Sequence, residues 1–208
     1  MERKCKQGTT ALSSAVYLGQ NKLGTIHRLL EADAKLTTLN NSGASYLTLA
    51  CSNEDSDPKV VRFFLENLGD SHINLRMISQ TDLWRCRRFA SKWAVRLGVI
   101  RDEGYAALGI PGRSTALTVS MMLASPKIVE LLIEHGANAD SVDVMGNDAF
   151  MLGSVFGREV NLQLWLKRFK NYDLEQRKAM LGATPLIAAV NMGANKIESV
   201  RVLCKRGA

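Results

Sequence analysis

NKLGTIHRLLEADA (residues 21–34) and NKIESVRVLCKRGA (residues 195–208) share one apolar pattern over fourteen positions without a gap. A second pair, PKVVRFFLE (58–66) and PKIVELLIE (126–134), agrees as well, each preceded by a capping residue, Asp57 or Ser125. Asp or Ser followed by Pro is the chemistry of a helix start. The side-chain oxygen accepts from a backbone N–H that has no helical partner, and proline lacks the N–H that would otherwise go unpaired. Apolar residues then recur at helical spacing. Self-similarity at a fixed period of a few tens of residues marks a chain built from stacked units.

Upstream of each such helix a small turn opens a shorter one: GTTAL at Gly8, GASYL at Gly43, RSTAL at Arg113, GNDAF at Gly146 and GATPL at Gly182. The third residue of each opening falls at Thr10, Ser45, Thr115, Asp148 and Thr184, in steps of 35, 70, 33 and 36. Halving the long step predicts a further start near residues 79–81, followed by Val95, Leu97 and Val99. The spacing thus predicts units near 8–40, 41–74, 112–144, 145–181 and 182–208, with a degenerate or inserted unit near 75–111. One helix pair cannot bury its own apolar face, whereas stacked pairs share a continuous core. Leu12, Leu47, Leu117, Phe150 and Leu186 are the candidate core residues of the first helices. From the second helices come Ile26 with Leu29, Val61 with Phe64, Val129 with Leu132, Leu162 with Trp165, and Val200 with Leu203.

A Thr-Pro-Leu-like opening, a short helix, and a second helix ending in Leu-Leu and then Gly-Ala resembles the ankyrin repeat. GATPLIAAV (182–190) and IVELLIEHGANAD (128–140) carry the resemblance most closely. It implies a single all-α domain over 1–208, an ankyrin-repeat solenoid of about six helix pairs with short finger loops. It also implies a non-catalytic protein–protein interaction module, gripping a protein partner with its concave surface and fingers. On that resemblance the candidate contact residues are Asn41, Ser42, Asp143, Met145 and Asn147. The family usually carries His after Thr-Pro-Leu, where this chain has Ser13, Thr48, Thr118, Met151 and Ile187, so less regular turns and a less stable array are expected.

No constellation for catalysis accompanies the repeat. Gly104–Gly112 (GYAALGIPG) lacks the Gly-Lys-Ser/Thr that would reach a phosphate, and no G-x-S-x-G or G-x-G-x-x-G is present. His27, His72 and His135 lack metal-ligand spacing, and Cys5, Cys51, Cys86 and Cys204 form no C-x-x-C pair. No cofactor or metal is implied, and reduced thiols are expected. The polar N-terminus and the absence of an apolar run near the roughly 18 residues of a membrane span lead to the expectation of a soluble, intracellular and cytoplasmic protein.

The formal net charge of +7 is concentrated in one segment: residues 74–101 hold seven basic side chains against one acid, the rest of the chain 20 against 19. Within LWRCRRFASKWAVRLGVIR (83–101) three aromatic residues interleave with six basic ones, a composition suited to nucleic acid or an anionic membrane surface. Arg85, Arg88, Lys92 and Arg96 would share one helical face as the alternative basic patch. Phe89 and Trp93 fall beside that face, which favours a broken helix pair with its aromatics in the core over one amphipathic target helix. Finally, Leu186, Val190, Val200 and Leu203 of the last unit have no polar replacement. The expectation is a piece of a longer array, or a C-terminal face hidden in an oligomer.

Overall fold

The computed structural model describes residues 4–5, 8–18, 22–78, 112–177, 182–191 and 197–208. Their regular structure is helical, with no strand among them. The first helices of the pairs are α1 (Ala11–Leu18), α3 (Tyr46–Ala50), α6 (Ala116–Leu123), α8 (Ala149–Val155) and α10 (Pro185–Asn191). The second helices are α2 (Lys22–Glu31), α4 (Pro58–Leu68), α7 (Pro126–Glu134), α9 (Glu159–Arg168) and α11 (Ile197–Lys205), and α5 (Asp70–Ile73) adds one turn after α4. Helices of five to eleven residues are too short to be stable alone, so their stability comes from packing.

The start of each first helix is set by a side chain that satisfies an otherwise unpaired N–H group. Thr115 and Thr118 form a reciprocal capping box: the Thr115 N–H donates to Thr118 Oγ1 (2.8 Å) and the Thr118 N–H to Thr115 Oγ1 (3.4 Å). Thr10 and Ser13 repeat it at 2.8 and 3.1 Å. Ser45 accepts from the Thr48 N–H (3.2 Å), Asp148 from that of Met151 (2.9 Å), and Thr184 from that of Ile187 (3.3 Å). The hydroxyls of Ser13, Thr48 and Thr118 thus bond to the turn in the positions where the family has His. Ahead of α4, Asp57 caps the Lys59 N–H at 2.9 Å, whereas Ser125 stands at the N-cap of α7 without a side-chain bond.

Three of the five second helices end alike. The Ala34 N–H donates to Leu29 O and the Asp33 N–H to Leu30 O, both 3.0 Å. The same crossed pair closes α7 (Ala137 to Leu132, Gly136 to Ile133) and α11 (Ala208 to Leu203, Gly207 to Cys204). This double bond over a left-handed residue occupies carbonyls that the helix leaves free, and φ is 62° at Asp33, 83° at Gly136 and 91° at Gly207.

First helices contact first helices in the order α1, α3, α6, α8, α10, and second helices contact second helices in the order α2, α4, α7, α9, α11. The core runs between the two rows: Leu12, Leu47, Leu117 and Phe150 are buried, as are Ile26, Val61, Phe64, Val129, Leu132, Leu162, Trp165 and Leu203. Leu29, Leu186 and Val200 are partly buried against it. Of the four apolar residues of the last pair, Leu203 is buried, Leu186 and Val200 are partly buried, and Val190 is exposed.

α3 contacts α6 directly and α4 contacts α7, so among the described residues the second and third pairs are neighbours. The described pairs form a run of five. The chain leaves at Ile78 and returns at Gly112 on the same level, because the Met77 N–H donates to Ser114 O (2.9 Å) and the Arg113 N–H to Met77 O (2.8 Å). The expected start near 79–81 lies outside the described residues.

Candidate interaction surface

Three loops of the molecule close by one geometry. The Cys5 N–H donates to Thr9 O (3.0 Å) and the Gly8 N–H to Cys5 O (2.8 Å). Asn40, Gly43 and Ala44 repeat this at 3.2 and 2.9 Å, and Asp143, Gly146 and Asn147 at 2.9 and 3.2 Å. In two of them the first side chain acts as a pin. Asn40 Oδ1 accepts from the N–H groups of Ser42 (3.0 Å) and Ala44 (2.9 Å), and Asp143 Oδ1 from those of Met145 (2.7 Å) and Asn147 (3.0 Å). A short Asn or Asp side chain reaching its own backbone two residues on is the Asx-turn preference made visible.

The loops then line up edge to edge. A Cβ at Gly8 would overlap Asn41, and one at Gly43 would overlap the backbone of Ile78, so these glycines are required by close approach as well as by positive φ. Further along, the Val144 N–H donates to Gly112 O at 2.9 Å. The result is a continuous row of loops along the N-terminal ends of the first helices.

Of the sequence-derived contact residues, Asn41 and Ser42 are half-buried in this row, whereas Asp143, Met145 and Asn147 are buried. Asp143 holds its loop, receiving the Asn147 amide on Oδ2 (3.1 Å) as well as two backbone N–H groups. Arg85, Arg88, Lys92 and Arg96 lie outside the described residues. The first helices also bury the side turned away from the core: Val119, Met122 and Leu152 form a second apolar cluster with Ala44 and Met77. At four and seven residues past the helix-opening residue, Val119 and Met122 point opposite to Leu117 and Met121.

Beside α8 and α9 lies a cleft of about 610 Å³ lined by Asp148, Trp165, Arg168, Lys170, Tyr172 and Gln176 among others. Tyr172 donates to both Asp148 oxygens (3.1 and 2.9 Å), and the Gln176 amide reaches Asp148 Oδ2 (3.0 Å) and the Tyr172 hydroxyl. Burial, and then the neighbouring Asp148 charge, holds the Tyr172 phenol far above its usual range. The Tyr172 phenol, which keeps its proton, is thus held on a side chain that also caps a helix, tying the cleft wall to the start of α8. Its trace in the sequence is Asp148 itself, an acid where the other four units carry Ser or Thr.

The histidines are dispersed among other tasks. The His135 ring bonds Leu131 O through Nδ1 (2.8 Å), His27 packs edge-on against Phe63 (5.1 Å), and His72 sits beside Ser71. Among the described residues no three His, Cys, Asp or Glu gather as metal ligands, and no helix is long and apolar enough to cross a membrane. No family model matches the chain, and comparison with curated proteins finds no match.

Proposed function

We propose that the chain is an ankyrin-type repeat array that works as a non-catalytic binding module for a protein partner. The observation that carries this reading is the recurrence of one turn at all five openings. Gly8, Gly43, Arg113, Gly146 and Gly182 have φ of 76°, 78°, 63°, 77° and 63°, each two residues before a Ser, Thr or Asp that accepts from a helix N–H. Repetition of a rigid unit builds an extended surface from loops, which is what such arrays offer a partner. Because Asp143, Met145 and Asn147 are committed to their loop, the contact surface is assigned to the more accessible part of the row, at the half-buried Asn41 and Ser42 and at Ile78, the last 62% exposed.

Photo-crosslinking groups placed one at a time at Asn41, Ser42 and Ile78 test this in a lysate of the source cell. One protein band common to the three sites, retained when Arg85, Arg88, Lys92 and Arg96 are all changed to Ala, is the expected outcome. Loss of capture in that fourfold variant, together with polyanion binding that falls steeply with salt, would replace the reading by phosphate recognition.

A further inference from the structure

The fourth helix pair departs from its siblings at positions that meet in one place. Leu29, Phe64, Leu132, Trp165 and Leu203 hold the same position in the five second helices, three residues after Ile26, Val61, Val129, Leu162 and Val200. Of these five, only Trp165 carries a polar group. Four residues further on, Asp33, Gly136 and Gly207 turn left-handed, whereas Phe169 keeps φ at −110° and sets its ring 4.6 Å from that of Trp165. The chain then runs on to Tyr172, whose N–H donates to Phe169 O (3.2 Å) and whose ring stands perpendicular to that of Trp165 at 6.2 Å. A further departure is Asp148 at the opening of α8, where the other units have Thr or Ser.

Trp165, Phe169, Tyr172 and Asp148 all line the cleft of about 610 Å³ beside α8 and α9, a volume within the roughly 300–1,000 Å³ of small-molecule sites. Asp148 is fully engaged: it accepts from the Met151 N–H, the Tyr172 hydroxyl and the Gln176 amide. Trp165 is not, because its indole N–H is buried and has no acceptor, in a side chain only 1% exposed. A buried donor left unpaired destabilises a fold, and Leu or Phe in the other four units shows that packing at this position does not need one. At the rim, the exposed Arg168 and Lys170 are balanced by the exposed Asp140 and Asp173. A charged ligand would lose hydration here with no excess of opposite charge to offset the loss.

We propose that this cleft binds an uncharged small molecule with a flat aromatic body and one carbonyl-type oxygen, the oxygen accepting from Trp165 Nε1. The rings of Trp165, Phe169 and Tyr172 supply the wall against which such a body packs, offset or edge to face. The indole donor sets its orientation. A molecule of the same shape without the oxygen leaves the donor unpaired, which is how a polar group in a site rejects an apolar analogue. No residue of this cleft belongs to the surface at Asn41, Ser42 and Ile78, so the inference is independent of the reading of that surface.

Titration of the full ¹⁵N-labelled chain with acetophenone, ethylbenzene, benzoate and benzylammonium, following the three tryptophan indole N–H signals by NMR, tests it. Acetophenone is expected to move one indole signal downfield and to saturate it. Ethylbenzene, which has the same shape without the oxygen, and the two charged compounds should each bind at least about tenfold more weakly. Trp165→Phe, the side chain that Phe64 provides at the equivalent position, should remove the responding signal and reduce acetophenone binding to the level of ethylbenzene. The comparison of ligands on the wild-type chain decides the question even where that variant fails to fold. Three results would each overturn the inference: no saturable indole shift with acetophenone, ethylbenzene or a charged compound binding as tightly as acetophenone, or a folded Trp165→Phe that retains full affinity.

Discussion

Arg113 and Asp33 occupy left-handed turn positions whose counterparts in other units are glycines: Gly8, Gly43, Gly146 and Gly182 for Arg113, and Gly136 and Gly207 for Asp33. A Cβ in that region costs about 1–2 kcal/mol, part of which the larger unfolded-state entropy of glycine gives back. Arg113→Gly and Asp33→Gly are each expected to raise stability by about 0.5–1 kcal/mol in urea titrations, and a decrease would mean that the side chains hold something their backbones do not. Tyr172 makes a pH prediction. Its phenol is raised in the folded state, so the fold binds the proton more tightly, and that stability is present below the ordinary tyrosine value of about 10 and lost as pH rises above it. Tyr172→Phe should be less stable near neutral pH by about 1–2 kcal/mol, through the bonds Asp148 loses, and should show a shallower decline above pH ~10 in denaturation series. Cys51 is buried and its thiol is pushed up by that burial, while Cys5 and Cys204 are exposed. Mass spectrometry after alkylation should find Cys5 and Cys204 modified in the native protein and Cys51 only after unfolding.

Within the helices, the caps decide how five to eight residues can hold a turn. Thr118 both receives the Thr115 N–H and donates to Thr115 O (2.9 Å), so Thr118→Val should cost about 1–2 kcal/mol while Thr118→Ser costs less, by thermal melting of both variants. A loss confined to Thr118→Ser would show that the methyl group, and not the hydroxyl, stabilises the turn. The missing family histidines suggested weakened turns, yet a hydroxyl at the same place bonds the opening residue in three units. Composition alone did not reveal this, because a hydroxyl's partner depends on its rotamer and on the backbone it meets. The helix starts were legible for the opposite reason: Asp57-Pro58 and the Thr and Ser openings act on N–H groups only two or three residues away.

Across the whole molecule, the doubled step of 70 residues spans a stretch whose flanking pairs touch, α3 against α6. The ends of the intervening stretch are held together by the bonds among Met77, Arg113 and Ser114. Replacing residues 79–111 by a short Gly-Ser linker is therefore expected to leave the five pairs folded, since closing a shorter loop costs less entropy. Retained helical dichroism with a cooperative melt is the outcome to look for, and loss of cooperativity would show that the stretch contributes to the stack.

The sequence by itself determined the helical class, the period and five of the helix-pair boundaries, together with most of the core. Those properties rest on apolar spacing and cap chemistry, which are local along the chain. Tertiary structure alone decided that the second pair stacks on the third, that Asp143, Met145 and Asn147 are enclosed by their own loop row, and that Val190 is bare while Leu203 is not. Each of these depends on which distant segment lies against a given face. A repeat makes its units look alike in sequence, and only neighbours in space distinguish the same position inside the stack from that position at its end.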